Sequence, residues 1–150
     1  MNLRKLSFDR LTYVGIRDID EFEGETIREN NIRTLDVPNV IDYIKNCDGP
    51  VHISFDVDAL DPELVDSTGT CVPEGLEPGE VREIISTALQ ESKLVSLDVV
   101  EFNKALGNPD NSLLAVKRVF EPPQDPTTED ESMLENKSQL GNVPPDLRRR

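Results

Sequence analysis

Three carboxylates follow an apolar run in the stretch VHISFDVDALDP, residues 51–62: Asp56, Asp58 and Asp61. Acids at such a place do nothing for packing. If the chain stays extended, alternate side chains share a face, so Asp56 and Asp58 project together while Phe55 and Val57 point away. Two carboxylates held a few ångströms apart repel each other unless a proton or a cation lies between them. A hard divalent ion is the natural occupant. The plainer alternative is that the pair caps a turn or meets surface arginines. A calcium EF-hand loop starting at Asp56 is excluded, because Leu60 and Asp61 stand where an oxygen ligand and a glycine are needed and Ser67 stands at the closing acid. An aspartyl-phosphate nucleophile stays open, although nothing downstream completes it.

The elements that must position these acids are short. Runs rich in β-branched and aliphatic residues predict strands over 11–16, 34–37, 50–57 and 93–100. Helical spacing of Val40, Ile41, Ile44 and Cys47 after Pro38, and of Val81, Ile84, Ile85, Ala88 and Leu89 after Pro78, predicts two helices whose apolar faces cover a sheet. Asn111 or Ser112 is the expected cap of a last helix carrying Leu113, Val116 and Phe120, and a weaker helix is expected over 25–32. Alternation of this kind is that of βα units around a parallel sheet. Sites in open α/β sheets form at the carboxyl ends of strands, where Asp56 and Asp58 would lie.

Composition narrows the function classes. With 30 acidic and 16 basic side chains the formal charge is −14, which argues against nucleic-acid binding through phosphate neutralisation. No apolar run approaches the roughly 18 residues of a membrane helix, and the first ten residues carry no apolar leader core. Cys47 and Cys71 form neither a CxxC pair nor a disulfide framework, so a reducing, cytoplasmic setting is expected. His52, the single histidine, shares strand parity with Asp56 but lies four residues back, and a packed structural role is expected for it. Residues 121–150 hold five of the eleven prolines, seven acids and few large apolar groups, the composition of a disordered tail.

The run Ser54-Phe55-Asp56-Val57-Asp58-Ala59-Leu60-Asp61-Pro62, with Ser67-Thr68-Gly69-Thr70 and Gly75-Leu76, resembles the signature of the ureohydrolases, most closely the arginases. Two further segments fit in order: 13–20 (YVGIRDID) with Glu23, and 96–103 (SLDVVEFN). The resemblance implies that residues 11–120 are the C-terminal half of a three-layer α/β/α arginase-like domain with a parallel sheet, preceded by a lead-in over 1–10. It implies a binuclear manganese site with Asp56 and Asp58 as ligands, and metal-activated hydroxide attack on the guanidinium carbon of L-arginine, giving L-ornithine and urea. Glu101 matches the acid that holds the guanidinium, Asp20 and Glu23 match positions near the substrate's α-amino group, and Thr70 falls in the loop lining the site. The family's remaining ligands and its proton-shuttling histidine belong to a first half whose motifs are absent here, so no catalytic residue is assigned in this chain and the manganese ligand set is incomplete. Competence without that half is not expected. The resemblance further implies that, as in the family's eight-stranded parallel sheet, these strands fall into two pairs with a first-half strand between them, so either the pairs rejoin or their edges stay open and favour a homo- or hetero-oligomer. A different class of function is a non-catalytic ureohydrolase-like module that binds intact homologues or other partners, and a third is a simple metal-binding domain. Asp66, Cys71 and Glu74 depart from the family pattern, which has proline, proline and glycine at those places.

Overall fold

A computed structural model describes residues 5–122. The expected tail, apart from Glu121 and Pro122, lies outside the described residues. After a 3-10 turn at Phe8–Arg10, the chain forms β1 (Thr12–Val14), α1 (Glu21–Glu29), β2 (Arg33–Leu35), α2 (Val37–Asn46), β3 (Val51–Asp56), α3 (Pro78–Gln90), β4 (Leu94–Val100) and α4 (Pro109–Phe120). All four strands coincide with the predicted runs, each shorter than its run, and β2 begins one residue before it, at Arg33.

The strands make two separate parallel pairs, β1 with β2 and β3 with β4. No ladder joins the pairs among the described residues, so the inner edges stay open. Helices make the connection instead: Val37, Val40, Ile41 and Ile44 of α2 pack with Ile84 and Ala88 of α3, and this cluster receives Val14 and Leu35 from one pair and Ile53 and Leu94 from the other. A second cluster joins Phe55, Val57, Leu60 and Val65 to Val81 and Ile85 of α3 and to Ala115, Val116 and Val119 of α4. Each such buried aliphatic side chain contributes about 1.5–3 kcal/mol. Both helix-capping acids before α2 and α1 act as expected of their type, Asp36 accepting from the Asn39 amide at 3.0 Å and Asp20 from the Glu23 amide at 2.7 Å.

Four expectations of the helices need correction. The first helix begins four residues earlier than foreseen, because Asp20 and Glu23 form a reciprocal capping box. The last helix is capped by Asn108, with Pro109 next, and not by Asn111 or Ser112. Its buried face is Ser112, Ala115, Val116 and Val119, whereas Leu113 and Phe120 are exposed, because the Ser112 hydroxyl is drawn inward to the loop before α3. Leu89 of α3 likewise points outward.

One face of β3–β4 covers the core and the other is bare. On the bare face His52 is exposed: its Nδ1 lies 2.8 Å from the Ser96 hydroxyl and its Nε2 3.6 Å from Asp98. The packed role expected for His52 is therefore not what its surroundings provide. Val95, Val99 and Val100 are exposed along β4. No helix among the described residues is long and apolar enough to cross a membrane.

Candidate metal-carboxylate site

The site is built where β3 and β4 end. Asp56, the last residue of β3, lies opposite Val100 of β4, so Glu101 emerges beside it. The strand then stops: residues Val57–Ala59 turn as a 3-10 helix, and the Asp56 side chain caps it by accepting the Asp58 amide at 3.1 Å. Strand alternation is thus not what gathers the two acids. The turn does so, and Asp56 serves as cap and as site acid together.

The pair is left electrostatically unsettled. The Asp58 carboxyl is held above the usual carboxylate range, first by burial and then by repulsion from Asp56, with Glu101 adding to the effect and Arg17 opposing it. Glu101 itself adopts φ of 63°, a left-handed backbone that costs an L-residue about 1–2 kcal/mol. Strain of this kind collects where a side chain must be aimed at a ligand. The structure therefore brings together Asp56, Asp58 and Glu101.

Arg17 had no assigned role in the sequence, although it is the sole cation in residues 11–20. It reaches from the β1–α1 loop to the turn, donating through Nη2 to the Asp58 carbonyl at 2.5 Å and through Nη1 to the Ala59 carbonyl at 3.0 Å. Asp20 and Glu23 sit three and six residues further on, exposed, in the cap of α1, each with its carboxylate bonded to the other's backbone amide. Thr70 is exposed on the loop between β3 and α3. Among the described residues no hydrogen bond joins Asp20, Glu23 or Thr70 to the acid pair. Thr68, two residues before Thr70, is buried with a hydroxyl that has no hydrogen-bond partner among the described residues.

That loop is pinned by acids of another kind. Asp61 accepts the Glu63 and Gly75 amides at 2.9 and 3.0 Å, and Asp66 accepts the Asn108 amide at 2.8 Å and the Ser112 hydroxyl at 3.1 Å. Both carboxyls are held below the usual range, chiefly by those backbone donors. Glu74 adopts φ of 64°, which explains why glycine is usual at this place in the resembling signature.

The Arginase family profile matches residues 2–122. The chain belongs to the arginase family. Its sequence is 38% identical over 112 residues to the arginase of Glaciozyma antarctica, covering 66% of this chain and 32% of that protein. It is 37% identical over 118 residues to the arginase of Neurospora crassa, covering 71% and 33%. Among solved structures, Entamoeba histolytica arginase in complex with L-ornithine is similar with a TM-score of 0.62 at 30% identity, over 74% of this chain and 43% of that one. The chain thus spans about a third of the length of the curated relatives it matches. Parallel strand pairs flanked by helices are the part of the arginase-like fold present here, and the family is one of ureohydrolases.

The family implies manganese, and the donors can be tested for fit. Two carboxylates that repel each other at a strand end are hard oxygen donors of the right kind, and a divalent cation would offset both the burial and the repulsion at Asp58. Their number falls short: among the described residues no group of three or more His, Cys, Asp or Glu could hold an ion. Asp56 and Asp58 fit one side of a manganese shell and need donors from elsewhere.

Proposed function

We propose that this chain carries the carboxylate side of an arginase-type centre that hydrolyses L-arginine to L-ornithine and urea, with the other ligands and the proton-shuttling group contributed by the N-terminal half of the family's domain. One observation carries the reading: Asp56 and Asp58 converge, with no ion-pair partner among the described residues, at the carboxyl end of β3 beside Glu101. In this reading residues 11–120 are the working unit and Asp56 and Asp58 hold manganese. Manganese, when bound, supplies the acidity that makes water a nucleophile at neutral pH. Glu101 receives the substrate guanidinium, a planar cation suited to a carboxylate fork. Asp20 and Glu23, at the exposed start of α1, offer carboxylate oxygens to the α-amino group, and Thr70 lines the entrance. Water adds to the guanidinium carbon, the bond from that carbon to the ornithine nitrogen breaks, and the leaving amine takes a proton. A cytoplasmic location and assembly with a second chain belong to the same proposal.

The test is urea release from L-arginine with manganese, by the chain alone and by the chain mixed with the N-terminal half of a related arginase. Turnover by the mixture and none by the chain alone is expected. A mixture that binds yet forms no urea would contradict the proposal. The bare face of β3–β4 and the open strand edges favour a second reading, a non-catalytic module that binds intact homologues. Co-purification with a full-length relative, and no urea from any mixture, is its distinguishing result.

A further inference from the structure

The Arg17 guanidinium makes four hydrogen bonds, all to backbone carbonyls: Nε to Val72 at 3.3 Å, Nη1 to Gly15 at 3.1 Å and to Ala59 at 3.0 Å, and Nη2 to Asp58 at 2.5 Å. Three segments therefore meet on one side chain: its own loop after β1, the 3-10 turn after β3, and the loop leading to α3. No carboxylate lies within ion-pair distance of it among the described residues. This selectivity matters chemically. A cation paired directly with Asp58 would occupy the lone pairs a metal ion needs, whereas one bound to the Asp58 carbonyl fixes the backbone and leaves the carboxylate free. Only a planar fork with five donors can hold carbonyls in several directions at once.

We propose that Arg17 is the positioning residue of this site, fixing the turn that carries Asp58, and so the direction of its carboxylate toward a divalent cation, from the opposite strand pair. This rests on the reading of Asp58 as a manganese ligand, and the two can fail separately. Residues that orient metal ligands typically alter metal affinity by about 10–100-fold when removed.

The experiment uses the full chain with Arg17→Met, Arg17→Lys and Asp58→Asn. Manganese binding, by each chain mixed with the N-terminal half of a related arginase that brings the remaining donors, is followed by loss of the free-ion electron paramagnetic resonance signal, and amide hydrogen exchange of each chain alone is followed by NMR without metal. Arg17→Met is expected to speed exchange selectively at Asp58, Leu60 and Leu76 and to weaken manganese binding about 10-fold, with Arg17→Lys between it and the unaltered chain. Unchanged exchange at those amides overturns the proposal. So does acceleration spread evenly over β3 and β4, or loss of the fold in both Arg17 variants, since either makes Arg17 a residue of general stability. If Asp58→Asn leaves manganese binding unaltered, the ligand reading fails, and the exchange pattern still decides whether Arg17 holds the turn.

Discussion

Four aspartates lie within eleven residues of one another, and the fold treats them as two kinds. Asp61 and Asp66 are surrounded by donors, the Glu63, Gly75 and Asn108 amides and the Ser112 hydroxyl, and each is easier to ionise than an ordinary carboxyl. Asp58 gains no comparable set; burial and Asp56 make it harder to ionise. Carboxylates of the first kind stabilise the loop that carries them. A carboxylate of the second kind opposes folding and is explained by something that binds there. The direction of the shift thus separates acids that build the site from acids that would work in it.

The comparison breaks most severely at Gly75. A Cβ there would stand 2.3 Å from the Asp61 backbone nitrogen, against main chain that cannot swing away. Gly75→Ala is expected to cost about 3 kcal/mol by urea denaturation; a loss below about 1 kcal/mol would show that the loop is not closely held at Asp61. Next in size are Asp61→Ala and Asp66→Ala, both expected to lower the thermal midpoint at neutral pH. Because their folded carboxyls titrate below the ordinary aspartate value of 3.8, the stability they contribute is present above that pH and is lost as the pH falls through the folded value. The gap between each variant and the unaltered chain should therefore close in acid.

Asp58→Asn should behave in the opposite sense. Its folded carboxyl titrates above 3.8, so the ionised form weakens the fold at pH 7 and protonation relieves it as the pH drops. The variant should have a higher midpoint than the unaltered chain at pH 7, with the advantage shrinking toward pH 3. A lower midpoint at pH 7 would place Asp58 with Asp61 and Asp66. The smallest effect is expected at Glu74. Glu74→Gly relieves φ of 64° but loosens the unfolded chain, for a net gain of about 0.5 kcal/mol in chemical denaturation.

Much of the scaffold was legible from periodicity. The β-branched runs located all four strands, and the apolar spacing around Val40 and Val81 located α2 and α3. The misreadings concern residues with two available uses. Asp20 and Glu23 match substrate positions of the family, yet their spacing is also that of a capping box, which starts α1 at Glu21. Asn108 before Pro109 was a readable helix start, but Leu113 and Phe120 suggested another face; Ser112 is buried there because it bonds the Asp66 region, a partner 46 residues away. Asp56 and Asp58 were paired by strand alternation, whereas a 3-10 turn joins them. Arg17 could not be read at all, since three of its four partners lie 41 to 55 residues along the chain and all are main-chain oxygens without sequence identity.

The most direct measurement is a manganese titration of the full chain beside the Asp56→Asn, Asp58→Asn double variant, with thermal unfolding recorded in the same samples. Asparagine can still cap the turn at position 56. The account predicts that the double variant folds at least as stably and no longer responds to manganese. A less stable variant whose response to manganese is unchanged would contradict it.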